Sequence, residues 1–141
     1  MTPTPPRTFL GFDFGMKNIG VAVGQELTHT ASPLTVVKAR EGIPNWEHIQ
    51  SLIEEWRPQG LIVGLPLNMD GTEQEMTTAA RRFGNRLNGR FHLPVDWQDE
   101  RLSTFEALDQ LGIRSKMQSN NRDDVDRISA QLILQSWLNQ Q

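Results

Sequence analysis

Residues 60–66, GLIVGLP, carry no polar side chain. A run that short and that uniformly apolar marks a central parallel strand covered on both faces. A parallel neighbour needs a long crossover, so this one segment commits the chain to a layered α/β arrangement with helices against the sheet.

The flanking sequence supplies the other layers. TFLGFDFG (8–15) and NIGVAVGQ (18–25) read as a hairpin turning around Met16 and Lys17, with Gly15 giving the backbone its freedom. THTASPLTVVKAR adds a third strand near residues 34–39. In NWEHIQSLIEEW, Trp46, Ile49, Leu52, Ile53 and Trp56 recur at helical spacing, with Asn45 placed as N-cap and Pro58 just past the end. GLIVGLP is the fourth strand and belongs beside the first. A second helix is predicted from about Thr72 to Leu87, a fifth strand in LPVDWQDE (93–100) and a helix near 103–111. The stretch from Gly112 to Asn121 is polar and aperiodic and reads as a loop. A last helix is expected from about Asp123 to Leu138. The order β-β-β-α-β-α-β-α-α implies a mixed five-stranded sheet, order 3-2-1-4-5 with strand 2 antiparallel, and helices on both faces.

With 141 residues, 37% of them hydrophobic, the chain has the size of one domain. We expect that domain over 8–141, behind a short disordered tail over 1–7. The absence of cysteine removes disulfides, thiolate zinc sites and cysteine nucleophiles, and suits a reducing cytoplasm. No apolar run approaches the roughly 20 residues a membrane helix needs, and MTPTPPRT has no signal-like apolar stretch, so no membrane partner is expected. The formal net charge of −3 does not announce a nucleic-acid binder. Local patches matter more: Arg81, Arg82, Arg86 and Arg90 fall close together, as do Arg114, Lys116 and Arg122. Each patch is a phosphate-binding face or simply a solvated one.

Acids stand out at three places. Asp13 interrupts an apolar strand, where an ionised carboxylate costs several kcal/mol unless it has partners or a cation; it is either a turn acceptor or a metal ligand. Asp99 and Glu100 end the fifth strand, and periodicity does not choose between them. On the last helix, at 100° per residue, Asp124, Arg127, Gln131 and Gln135 share one side, and Val125, Ser129, Ile133 and Trp137 the other. Asp126 falls with the second, sheet-facing group, while Asp123 and Asp124 already serve the helix terminus. Carboxylates from these three elements can converge over one edge of the sheet. Such a cluster repels itself unless a hard divalent cation, Mg²⁺ or Mn²⁺, sits within it. Two such ions would activate water against a phosphodiester, which is nuclease chemistry. His29, His48 and His92 lie on different predicted elements and offer no rival site. Ser103 and Thr104 lack a recognisable base, so Ser103 is read as a helix cap.

FDFGMKNIGVAVG, IVGLPLNMDGTEQ, DERLST and VDRISAQLILQSWL, in this order and spacing, resemble the YqgF (RuvX) family of pre-16S ribosomal RNA nucleases, over nearly the whole chain outside the tail. The resemblance implies a ribonuclease H-like fold related to the Holliday-junction resolvase RuvC, and a role in maturing the 5′ end of 16S rRNA. It carries Asp13, Glu100 and Asp126 over as the acidic metal-binding and catalytic set, choosing Glu100 over Asp99. In LPLNMDGTEQ it assigns Asn68 and Asp70 to the substrate channel, although Asp70 also reads as a plain turn residue before Gly71. Lys17, Arg101 and the Arg81 to Arg90 patch are the expected phosphate contacts. The implied partner is nucleic acid, pre-16S rRNA or a DNA junction, in contact with ribosomal particles, and the chain is a monomer or a homodimer. Two other readings use the same residues: resolution of DNA junctions, and a non-catalytic module that binds RNA or a ribosome-assembly partner. DFGMKNIGVAV also resembles the first phosphate loop of actin-like ATPases, but those proteins need two such lobes and this length supplies one.

Overall fold

A computed structural model describes residues 7–100 and 122–141. Thr8–Asp13 (β1), Asn18–Gln25 (β2) and Thr30–Arg40 (β3) form an antiparallel meander. Ile43–Pro44 (β4) pairs with the end of β3, and Trp46–Trp56 (α1) follows. Gly60–Leu65 (β5) lies parallel to β1, Glu75–Phe91 (α2) crosses over, and Val95–Asp99 (β6) lies parallel to β5. Arg122–Asn139 (α3) packs mainly on β1, β2 and β3. Among the described residues the sheet order is β4-β3-β2-β1-β5-β6. The expected order is therefore present, with one strand more than the five expected.

The extra strand is β4. Its two residues are too few for any periodic signal, and it exists because the preceding Glu41 and Gly42 turn the chain with φ of 50° and 81°. Positive φ at both central residues is what a two-residue type I′ hairpin requires. Strand β3 begins at Thr30, ahead of the expected start, and carries Pro33 through a register irregularity opposite Val21 and Ala22. A proline is tolerated at such a bulge because no ladder N–H is needed there. Helix α2 starts at Glu75 rather than about Thr72, because Thr72 is held in a turn: its N–H donates to Asp70 Oδ1 at 2.9 Å. Asn45 caps α1, its Oδ1 accepting from the His48 N–H at 3.3 Å. Arg7 is tied to the sheet, its carbonyl accepting from the Glu26 N–H at 2.9 Å. Arg101, Ser103, Thr104, the helix near 103–111 and the loop over 112–121 lie outside the described residues, as do residues 1–6 of the tail.

The sheet has a large face and a small face. Leu10, Phe12, Val21, Leu61 and Val63 point to α1 and α2, where they meet Ile49, Leu52, Phe83 and Leu87. Fully burying each such side chain stabilises by about 1.5–3 kcal/mol. The opposite face presents Gly11, Gly20, Ala22 and Gly24, and α3 lies on it through Ala130, Ile133, Leu134 and Leu138. A Cβ at Gly11 would stand 2.7 Å from Leu134 Cβ. The α3 side of β1 thus combines Phe9 with the bare Gly11, a gap that a hydrophobicity pattern does not register.

Helix α3 departs from its two-sided reading. Gln131 and Gln135 turn to the outer edge of β3: Gln131 Nε2 donates to the Ala31 carbonyl at 3.0 Å, and Gln135 Oε1 accepts from the Ala31 N–H at 3.0 Å. Gln135 Nε2 also donates to the His29 carbonyl at 2.6 Å. The glutamines thus satisfy strand-edge groups that β4 is too short to reach. Trp137 packs on Phe9 with ring centroids 4.8 Å apart and donates to Asp96 Oδ2 at 2.7 Å. No helix among the described residues is long and apolar enough to cross a membrane.

Candidate active site

Asp13 is the last residue of β1 and Glu100 directly follows β6, so both stand at the carboxyl ends of the parallel part of the sheet. That is where open α/β sheets hold their ligands. Asp126 enters from above, on the first turns of α3. Two glycines make the meeting possible. Gly20 is the cross-strand partner of Asp13, and a Cβ there would overlap the Asp126 carbonyl oxygen, so its bareness lets the backbone of α3 settle beside Asp13. Gly64, in β5, leaves the space that Glu100 fills: a Cβ there would lie 2.5 Å from Glu100 Oε1. A glycine inside a strand often marks such a close approach, and in GLIVGLP that is the signal for Gly64 that a purely apolar reading passes over.

The carboxyl groups of Asp13 and Glu100 share a hydrogen bond. Burial pushes Asp13 up to about 6, and the nearby charge of Asp126 adds to the rise, while the hydrogen bond to Glu100 opposes it. Burial likewise pushes Glu100 up to about 9, with Asp13 as hydrogen-bond partner and neighbouring charge, and the charge of Asp99 adding a little. Both carboxyls are held above the usual carboxylate range, so at neutral pH the pair shares a proton between them. One proton does the bridging that two facing carboxylates cannot manage alone.

The pH dependence follows in sign. Both acids hold protons in the folded state that the unfolded chain releases at about pH 4. The stability these two groups contribute is therefore greatest in acid and is lost as pH rises through about 6 for Asp13 and onward to about 9 for Glu100. Thermal melts in EDTA will show Tm falling between about pH 5.5 and pH 8, by less in Glu100→Gln, whose amide does not titrate and so holds no proton that the unfolded chain has released. An equal fall in both proteins would remove the shared proton from the account.

Among the described residues, no three acidic or histidine side chains already stand at coordination spacing. The donor chemistry nevertheless fits a hard cation: the groups brought together are carboxylates, two of them bridged by a proton that a divalent ion would replace. Asp13 and Asp126 line an open cleft of about 570 Å³ together with Gly15, Lys17, Asn18 and Met76. Lys17 is exposed at its mouth. Asn68 is spent locally, its Nδ2 donating to Thr72 Oγ1 at 3.0 Å, and Asp70 shapes the same turn. Arg81 pairs with Glu73 at 2.6 Å and lies over the Trp97 ring, while Arg90 lies 4.2 Å over Trp46. Arg101 lies outside the described residues.

The fold is that of the ribonuclease H-like resolvases. Thermus thermophilus RuvC matches with a TM-score of 0.58 over 94% of this chain and 95% of that one, at 15% identity. The Holliday junction resolvase of fowlpox virus matches with a TM-score of 0.57 over 95% of this chain and 99% of that one, at 14% identity. A family model described as RuvX, Holliday junction resolvase, covers residues 7–140. A protein of Nitrosococcus oceani, named "Putative pre-16S rRNA nuclease", is 59% identical over 140 residues, 99% of this chain and 91% of its own length. The chain belongs to the RuvX family.

Proposed function

We propose that this protein is a metal-dependent endonuclease that hydrolyses phosphodiester bonds in maturing the 5′ end of 16S rRNA. The observation that carries the reading is the Asp13–Glu100 carboxyl pair under the charge of Asp126, at the strand ends and beside an open cleft. Family membership and the name of the Nitrosococcus relative supply the substrate. Asp13, Glu100 and Asp126 would hold Mg²⁺ or Mn²⁺, which when bound supplies the Lewis-acid chemistry that activates water and offsets charge on the phosphodiester. Asp13, fixed by β1, is the rigid member of the set. Glu100 would complete the carboxylate pair with Asp13, their shared proton giving way to the cation. Asp126, carried by α3, would supply the third carboxylate. Lys17 at the cleft mouth neutralises the incoming backbone, with Arg101 as a second cation for that task. The cysteine-free sequence suits work on ribosomal particles in the cytoplasm.

Purified protein offered labelled precursor RNA or a four-way DNA junction, with Mn²⁺, Mg²⁺ or EDTA, tests this directly. RNA cleavage that needs the metal is the expected result. Cleavage indifferent to EDTA, or a junction cut in preference to RNA, would overturn it. Mass measurement alongside is informative, because symmetric junction cutting needs two sites whereas cutting an RNA strand needs one.

A further inference from the structure

The cleft continues past the acids. Across the β1–β2 turn lies a second cavity of about 230 Å³, and Phe14 and Met16 line both. It is lined by Phe14 and Met16, by Glu41 and Ile43 from the β3–β4 segment, and by Arg82 and Arg86 from α2. The two arginines are one helical turn apart and so share a face. Both are exposed, and among the described residues neither forms an ion pair, unlike Arg81 with Glu73. Met16 and Ile43 are large apolar side chains left 44% and 58% exposed. The β3–β4 turn is bound to the cleft turn, the Gly42 N–H donating to the Met16 carbonyl at 2.9 Å. The cavity is thus built against the cleft by the same turn that carries it.

We propose that this cavity is a nucleotide subsite: it takes one unpaired nucleotide of the substrate strand next to the scissile phosphate. The base lies against Phe14, Met16 and Ile43, and the adjoining phosphates lie on Arg82 and Arg86. The assignment rests on the nuclease reading above. The chemistry of the walls separates the parts of the ligand. Arginine forks match phosphate oxygens. Glu41 is an acceptor only, so it repels phosphate and suits the N–H edge of a base, which sets the backbone on the α2 side. A base inside a duplex keeps both faces stacked and cannot enter an apolar pocket, whereas a splayed base can. The subsite therefore selects single-stranded RNA beside the cut.

Fluorescence anisotropy with a short single-stranded RNA, in EDTA, reads the subsite without chemistry. Arg82→Ala/Arg86→Ala will bind roughly tenfold or more weakly, and its slope of log K against log salt will be shallower by about 1.4, the loss of two phosphate contacts on a single strand. Arg82→Lys/Arg86→Lys will keep most of the slope. Ile43→Glu, on β4 and not on α2, will also weaken single-stranded binding and leave duplex binding unchanged. Unchanged affinity in the alanine pair, or an Ile43→Glu protein that binds as wild type does, overturns the subsite. Asp13→Asn run alongside separates the two claims: it keeps the RNA affinity and loses cleavage. If wild type itself does not cleave, the nuclease reading falls, and if Asp13→Asn cleaves as wild type does, the assignment of the acids falls; in both cases the binding data still decide the cavity.

Discussion

Asp13→Asn will lower metal-dependent cleavage by about a thousandfold or more, some 4 kcal/mol of transition-state stabilisation, and will at the same time raise Tm in EDTA at about pH 8. The two effects have opposite signs for one reason. Asparagine keeps the volume and can still hydrogen-bond Glu100, but it offers no charge to a cation. By the same token it removes a buried negative charge that sits under Asp126 and beside Glu100. Residues whose charge is needed for function and is unfavourable for the fold behave this way. A merely structural Asp13, serving as turn acceptor, would show the reverse: a lower Tm and near-normal cleavage. Cleavage retained within tenfold would sink the catalytic assignment.

Gly20→Ala will cost about 2–4 kcal/mol of stability, a Tm loss on the order of 10 °C. The added Cβ meets the Asp126 carbonyl, which is backbone, so no change of rotamer relieves the overlap. Relief has to come from α3 lifting away from β2. That movement also carries the Asp126 carboxylate away from Asp13, so cleavage will fall further than the unfolded fraction explains. Gly89→Ala is the control. Gly89 lies inside α2 with nothing within 4 Å of its would-be Cβ, and alanine there should stabilise by about 0.5–1 kcal/mol. Equal melting temperatures for the two variants would remove Gly20 from the site's design.

The sheet order was legible because its strongest signal, GLIVGLP, becomes the wholly buried β5 between β1 and β6. Strand β4 was not, because it is made by two positive φ angles and not by a pattern. The close packing of α3 escaped a hydropathy reading since Gly11, Gly20 and Gly24 act by what they lack. The faces of α3 were misjudged where Gln131 and Gln135 bond to strand edges: a polar side chain pointing inward looks like one pointing outward until its partner is known. Asp13 and Asp126 were visible as charges in apolar company. Glu100 and Asp99 were not separable, because strand alternation ends where they begin; the structure joins Glu100 to Asp13 by a hydrogen bond. The arginine cluster was visible as a cluster, but its division of labour depends on Glu73, Trp97 and Trp46, which lie on other elements or outside the helix.

The glutamine clamps of α3 on Ala31 and His29 join positions 100 to 106 residues apart in sequence. Closing so wide a loop is slow and comes late in folding. During synthesis, then, the sheet and Asp13 emerge from the ribosome long before the helix that brings Asp126. A nascent chain holds an incomplete set of acids. The three carboxylates proposed as the metal set are therefore gathered only when this last helix docks on the sheet, so the site is completed by the final step of folding.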